Sequence, residues 1–211
     1  DGNSLAFRAF YALINQVDRF VNHEGLHTNA LVGFNNLLDG IVDPFKPDLA
    51  LVAWDAGKTT FRTGKFDNYK GNRDKTPQEL VEQFEPLRKM VELHGIKSYE
   101  LPGYEADDII GTFSRLGEAA GYQVTIVTGD QDLIQLATDN ITVNVTKKGV
   151  TEIERFTPAY IQEKYGLTPL QIIEKKALTG DTSDNYPGVT KVGEKTALKL
   201  LAQYHDLDNL Y

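Results

Sequence analysis

Leu49-Ala50-Leu51-Val52-Ala53-Trp54 is an unbroken apolar run that stops at Asp55. A strand with one wet face alternates polar and apolar residues, so a run this continuous reads as a central strand of a parallel sheet, covered on both faces. Before it, Leu31, Phe34, Leu37, Leu38, Ile41 and Val42 recur at helical spacing from Thr28 to Val42; Thr28 stands at the cap and Pro44 and Pro47 end the helix. After it, residues 56–75 hold no sustained period and set Lys58, Arg62, Lys65, Lys70, Arg73 and Lys75 against only Asp67 and Asp74. That is a basic excursion with a local excess of four positive charges.

Thr76-Pro77-Gln78-Glu79 reads as a capping box with proline at the first helical position, opening a helix that runs to Gly95 and is lined by Leu80, Phe84, Leu87, Met90 and Val91. Ile96–Leu101 follows as a short strand, Pro102-Gly103 as a turn, and Glu105–Ala120 as a helix with Gly121 at its C-cap. Gln123–Thr128 is a further buried strand, and Gly129-Asp130-Gln131-Asp132 leads into a short helix. Strand alternating with helix predicts an α/β fold, a mainly parallel central sheet with helices on both faces. Ile141–Val145 and Val150–Ile153, joined through Lys147-Lys148-Gly149, read as a hairpin. From Thr157 onward the character changes to helices and tight glycine turns, with Pro158 and Pro169 each opening a helix after a threonine. The expected division is a core over residues 1–165, carrying the basic excursion at 56–76, and a small helical region over 166–211.

The 211 residues are 41% hydrophobic and 25% charged, enough for one sizeable core and a small appendage. There is no cysteine, so disulfides and thiolate metal sites are excluded, and any metal must sit on oxygen or imidazole. No apolar run approaches the roughly 20 residues that span a bilayer, and no leader pattern opens the chain, so a soluble cytoplasmic protein without a membrane partner is expected. Asp1 would end a strand that lies before it, which makes the chain read as a fragment. The formal charge of −8 argues against a nucleic-acid partner at first sight. Nine of the carboxylates, however, are gathered in short motifs, and the rest of the surface without them carries about +1.

Those motifs fall where ligands collect in open parallel sheets, beyond the carboxyl ends of the strands. Asp55 ends one strand, Asp130 and Asp132 follow another, and Glu105, Asp107 and Asp108 come just after the Pro102-Gly103 turn. Asp181 and Asp184 are three apart and are expected to share one face of a helical turn. A single acid at a turn or helix start is as well explained by capping or the helix dipole. Five acidic clusters aimed at one sheet edge are not, because they would repel unless hard cations neutralised them, and oxygen-only ligation selects Mg²⁺ or Mn²⁺. Two such ions about 4 Å apart suit phosphodiester hydrolysis, one lowering the pKa of the attacking water and the other stabilising charge on the departing oxygen. His23, His27, His94 and His205 show no paired ligand spacing and read as structural or surface residues.

At this point the motifs converge on one family. Asp1-Gly2-Asn3-Ser4 with Arg8, Trp54-Asp55-Ala56, Tyr69-Lys70-Gly71-Asn72-Arg73, Gly103-Tyr104-Glu105-Ala106-Asp107-Asp108, Thr128-Gly129-Asp130-Gln131-Asp132-Leu133 and the run from Thr179 to Asn185 match it in order and spacing along nearly the whole chain. The sequence resembles the 5′ nuclease (flap endonuclease) domains of bacterial DNA polymerase I, in the PIN-like superfamily. The resemblance implies a PIN-like core with a helical arch or clamp over the active site, in the place of the basic excursion. It implies that Lys70 and Arg73 contact the scissile phosphate with Arg8 contributing from the first helix, and that Tyr69 stacks on a base. It implies a metal set of Asp1, Asp55, Glu105, Asp107, Asp108, Asp130, Asp132, Asp181 and Asp184. Lys58, Lys65 and Lys75 read as solvated loop charges, and Phe61 and Phe66 as packing for the arch.

The segment from Gly188 to Ala197 resembles a helix-hairpin-helix element. Its glycine turns let backbone amides approach duplex phosphates, which nominates Gly188, Val189, Lys191, Val192, Gly193, Lys195, Thr196 and Lys199 as DNA contacts. By resemblance a K⁺ ion at the turn carbonyls helps bridge to DNA, and further helices follow in the family. The implied activity is structure-selective 5′ flap endonuclease and 5′–3′ exonuclease cleavage of branched DNA, in primer removal and repair, by a monomeric chain continuous with a polymerase. The alternatives are a stand-alone bacterial flap nuclease, a non-catalytic branched-DNA binder and a PIN-type ribonuclease.

Overall fold

The computed structural model describes residues 1–57, 59–148 and 152–211. In chain order the elements are α1 (Gly2–Ala12), a 3-10 segment (Ile14–Arg19), α2 (Asn29–Phe45), β1 (Leu51–Trp54), α3 (Phe61–Lys65), α4 (Gln78–Val81), α5 (Phe84–Leu93), β2 (Lys97–Glu100) and α6 (Ala106–Ala119). They continue with β3 (Val124–Thr128), a second 3-10 segment (Asp132–Leu136), β4 (Ile141–Lys148), β5 (Glu152–Phe156), α7 (Pro158–Tyr165), α8 (Gln171–Thr179), β6 (Gly180–Asp181), β7 (Tyr186–Pro187), α9 (Glu194–Tyr204) and α10 (Leu207–Leu210). Among the described residues no helix is long and apolar enough to cross a membrane.

The apolar run at β1 is covered on both faces. Val52 and Trp54 point into one core, with residues of α1, α2 and α5. Ala53, between them, points into the other, with α6, β3, β4 and the helices from α7 to α9. Successive strand side chains go to opposite faces, so the sequence lost its alternation because both sides are dry. Trp54 is fully buried, with Phe34 stacked at 5.8 Å and Phe84 edge-on at 6.3 Å. The backbone of α1 lies directly on the indole, since a Cβ at Gly2 would come within 2.6 Å of that ring.

β1 pairs in parallel with β2, and β3 in parallel with β4. These two ladders are not hydrogen-bonded to each other among the described residues. The first turn of α1 bridges their carboxyl ends instead: the Asp1 nitrogen donates to the Val127 carbonyl at 3.2 Å, and the Asp55 N–H donates to Asn3 Oδ1 at 3.1 Å. β5 runs antiparallel to β4 as the expected hairpin partner; of the expected strand, Glu152 and Ile153 lie in it, and it continues to Phe156. Gly149 and Val150, and Lys58 of the basic excursion, lie outside the described residues.

Four local expectations are corrected. Thr76–Glu79 does not form a capping box: Pro77 is the N-cap of α4, without a side-chain cap bond. The single helix to Gly95 is also broken at Glu82–Gln83, because Pro86 has no N–H for the Glu82 carbonyl and its ring crowds that carbonyl. The break lets the buried Gln83 side chain accept from the Ala30 and Leu31 N–H groups, capping α2 where Thr28 makes no side-chain cap bond. Pro44 does not end α2 but lies inside it, and the helix closes on Lys46 in left-handed conformation. Pro169 precedes rather than opens α8, whose Gln171 N–H is nonetheless taken by Thr168 Oγ1 at 3.3 Å.

Glu154 on β5 gives the lower part of the fold a testable charge network. Burial would raise its carboxyl, but hydrogen bonds from Lys147, Lys164 and Tyr160 outweigh this and hold it at about 2, below the ordinary 4.5. A depressed carboxylate stabilises the fold fully above its unfolded value, and that contribution is lost as pH falls through the folded value. Glu154→Gln should therefore cost about 1 kcal/mol near pH 7, and the deficit should shrink between pH 4.5 and 2. Urea unfolding of both proteins across that window checks it; a deficit independent of pH would contradict the assignment.

Candidate metal centre

Each acidic side chain is placed by a short-range device. Asp1 caps α1: its Oδ1 accepts from the Ser4 N–H at 3.0 Å, and its Oδ2 from the Thr128 hydroxyl at 2.7 Å. Asp55 follows β1, and its Oδ1 accepts the Ala106 N–H at 2.8 Å, at the positive end of α6. Glu105 is the buried N-cap of the same helix, and Asp107 stands in its first turn. Beyond β3, the Asp130 N–H donates to Thr128 Oγ1 at 2.9 Å, and Asp130 Oδ1 accepts from the Asp132 N–H at 2.8 Å.

Asp181 and Asp184 sit in the β6–β7 hairpin rather than on a helical turn. Gly180 and Asn185 both take positive φ, which stops α8 and bends the chain back, and Asp181 Oδ1 accepts from the Ser183 N–H at 2.8 Å. The hairpin achieves what the helix was expected to do. Oxygen atoms of Asp132, Asp181 and Asp184 lie within 4.8 Å of one another.

Asp1, Asp55, Glu105, Asp107, Asp130, Asp132 and Asp181 line one cleft of about 600 Å³. Asp184 lines the adjoining cleft of about 820 Å³, which shares Glu105, Asp107, Asp132 and Asp181 with the first. The crowding is visible in the acid strengths. Burial, with Asp130, Asp55 and Glu105 nearby, pushes Asp107 up to about 7 against the pull of Lys70. Burial and Asp130 also raise Asp132. Asp181 goes the other way: burial opposes it, but Lys176 and Ser183 hold it at about 2.

Cations of the chain itself meet part of this charge. Lys70 donates to Glu105 Oε2 at 2.9 Å and Arg73 to Asp184 Oδ1 at 2.7 Å. The Lys176 ammonium lies against both Asp132 and Asp181. Lys176 was not singled out from the sequence; its position about one helical turn before Gly180-Asp181 was the available signal. The donor set is all oxygen, seven carboxylates face one cleft, and ordinary lysines and an arginine cover only some of them. That composition fits hard divalent cations.

Asp108 lines the larger cleft with Asp184 but is held differently from the other acids. Both its oxygens accept from Arg62, at 2.7 and 2.8 Å, and Oδ2 also takes the Glu105 N–H at 3.0 Å, so the carboxylate is committed to a bidentate ion pair and the helix cap. Arg8 lies beyond the cleft lining, donating to the Thr146 carbonyl while its Nε is buried without a partner. Tyr69 lines the larger cleft; its single hydroxyl proton is shared between Glu105 Oε2 and Asp184 Oδ2, both at 3.1 Å, and the Lys70 ammonium lies 5.0 Å from the centre of its ring.

The basic excursion folds down over the start of α6. Phe61 N–H donates to the Gly103 carbonyl, the Phe61 ring lies 5.8 Å from Tyr104, and Phe66 lies 6.3 Å from Tyr186. Its turn at residues 68–73 meets the β6–β7 hairpin: the Lys70 N–H donates to the Asp184 carbonyl at 3.0 Å and Asn72 Nδ2 to the Thr182 carbonyl at 2.6 Å. Lys65 and Lys75 are exposed. Between α8 and α9, Gly188, Val189, Lys191 and Gly193 are exposed and Val192 is half-buried, and on α9 Lys195, Thr196 and Lys199 are exposed. Gly188 packs so closely on Thr179 that a Cβ would come within 2.3 Å of its carbonyl carbon, and Gly193 caps α9.

Two parallel ladders with helices on both faces, an acidic cleft at the carboxyl ends of their strands and a basic excursion across it define a PIN-like fold with a candidate divalent-cation centre. Residues 1–166 match the family of the 5'-3' exonuclease N-terminal resolvase-like domain, and residues 167–211 that of the 5'-3' exonuclease C-terminal SAM fold. The chain belongs to the 5'-3' exonuclease family. It is 57% identical over its whole length to DNA polymerase I of Lactococcus lactis subsp. lactis (strain IL1403), and 53% identical to that of Bacillus subtilis (strain 168). It spans 24% and 23% of those proteins. Among solved structures, the bacteriophage T5 5'-exonuclease with bound zinc superposes with a TM-score of 0.78 at 24% identity, covering 100% of this chain and 76% of that one. The T5 flap endonuclease in a pseudo-enzyme-product complex with DNA and metal ions gives 0.75 at 23% identity, covering 100% and 75%.

Proposed function

We propose that the chain is the structure-selective 5′ flap endonuclease and 5′–3′ exonuclease unit of a bacterial DNA polymerase I, acting on branched DNA in the cytoplasm during primer removal and repair. The observation that carries this is the convergence of seven carboxylates from distant parts of the sequence on one cleft. Asp1, Asp55, Glu105, Asp107, Asp130, Asp132, Asp181 and Asp184 would hold two divalent cations, Mg²⁺ or Mn²⁺. The chemistry such ions supply when bound is a lowered pKa for the attacking water and stabilisation of charge on the departing 3′ oxygen.

The chain's own groups do the rest. Lys70 and Arg73, on the turn that closes over the cleft, exchange their carboxylate partners for the scissile phosphate once that charge is neutralised. The exposed turn from Gly188 to Gly193 offers backbone amides to duplex phosphates, which fixes register without reading sequence. K⁺ is proposed at the carbonyls of that turn. Substrate choice then comes from the shape of the junction, with residues 1–165 carrying the chemistry and 166–211 the duplex grip.

Incubation with a labelled 5′ flap in Mn²⁺ should release the flap and leave a 5′-phosphate on the product, with no product in EDTA. Absence of cleavage in Mn²⁺ would defeat the proposal, and equal cutting of a matched RNA flap would favour a PIN-type ribonuclease.

A further inference from the structure

We infer that the Thr128 hydroxyl is a positioning group that sets two arms of the metal centre at once, Asp1 from α1 and the Asp130–Asp132 turn from β3. The inference rests on the divalent-cation reading of the cleft. Thr128 is the last residue of β3 and is fully buried. Its Oγ1 lies 2.7 Å from Asp1 Oδ2 and 2.9 Å from the Asp130 nitrogen. A backbone N–H can only donate and an ionised carboxylate can only accept, so the hydroxyl proton has one available direction, toward Asp1. The hydroxyl therefore accepts from Asp130 and donates to Asp1, with no alternative arrangement.

This contact closes a chain of orientation. Ser4 N–H holds the other Asp1 oxygen, and Asp130 Oδ1 in turn holds the Asp132 N–H. Each Asp1 oxygen has one partner inside the protein, which leaves each a further lone pair for a cation. The threonine is itself fixed, because the Thr146 hydroxyl on β4 donates to its carbonyl at 3.2 Å. Losing the hydroxyl would free the Asp1 carboxylate to rotate and leave the half-buried Asp130 N–H without this partner. Partners of this kind set ligand orientation, and their removal lowers metal affinity by about 10–100-fold.

The test compares Thr128→Val, which keeps the shape but lacks the hydroxyl, with Thr128→Ser, which keeps the hydroxyl. Mn²⁺ binding to the whole chain is read by paramagnetic resonance of free Mn²⁺, without DNA or turnover. Thr128→Val should bind Mn²⁺ about 10–100-fold more weakly than the parent, and Thr128→Ser within about threefold of it. If the valine variant does not fold, Thr128→Ala takes its place with the same expectation. Parent-like affinity in the hydroxyl-free variant, or equal weakening in the serine variant, overturns the inference while leaving the metal reading intact. A parent chain that takes up no Mn²⁺ overturns both.

Discussion

Asp130→Ala should lower single-turnover flap cleavage by at least about 10³-fold, a barrier increase of about 4 kcal/mol, while flap binding is kept or tightened. Asp130 stands where the largest number of effects meet. It faces Asp107, whose acid strength it weakens, and it raises Asp132 in the same way. Removing it relieves repulsion in the cation-free protein and takes one anion away from the path of an anionic substrate, so binding has no reason to fall. The loss appears only where ions must be held. Thermal unfolding separates the two effects: at about 100 times its dissociation constant, Mn²⁺ should stabilise the parent by roughly 2.7 kcal/mol per site, and the variant by less. In EDTA the relief of repulsion is set against the lost Asp132 N–H bond, so the variant's stability should stay within about 1 kcal/mol of the parent's. Cleavage at the parental rate, or a loss of binding with cleavage retained, would remove Asp130 from the ligand set.

Much of the site was legible because acids at strand ends and helix starts are placed by local backbone chemistry. Asp55 after Trp54, and Glu105 after Pro102-Gly103, needed only the element boundaries. The misreadings arose where one residue acts at a distance. Pro86 breaks the helix four residues upstream of itself, a clash that an apolar period running through Leu80, Phe84 and Leu87 conceals. Gly180 and Asn185 turn the Asp181–Asp184 pair into a hairpin; spacing alone suggested a helical face, and the convergence survived only because the turn bends the same way. Asp108 was grouped with its neighbours by proximity in sequence, but one residue further along α6 rotates the side chain about 100°, toward Arg62 and away from Asp107. Lys176 also pairs with Asp132 and Thr128 with Asp1, partners far away in sequence, so the local spacing of each residue shows only part of its role.

Lys70 and Arg73 bring the second large effect, and their present partners explain why it should fall on the chemical step. Both belong to a turn that reaches over the cleft, and each is paired with a carboxylate, Lys70 with Glu105 and Arg73 with Asp184. A cation that merely tethered DNA would more naturally stand away from the carboxylates, as the exposed Lys75 does. Lys70 instead has a half-buried place beside Tyr69, held by a positive φ of 54° that a non-glycine residue adopts only when its surroundings impose it. Both side chains line the cleft, so if its carboxylates were neutralised by bound cations, as proposed, Lys70 and Arg73 would be the groups free to meet phosphoryl charge there. Groups preorganised in this way contribute about 10²–10³-fold to rate each, about 2.7–4 kcal/mol. Lys70→Ala and Arg73→Ala should therefore slow single-turnover cleavage by that factor and weaken flap binding by less than about tenfold. Arg73→Lys should recover little, since an ammonium cannot reproduce the planar fork that spans Asp184 and the Ser183 carbonyl. If binding falls as far as the rate does, the pair are phosphate tethers, and the turn is a grip on the strand instead of part of the reacting centre.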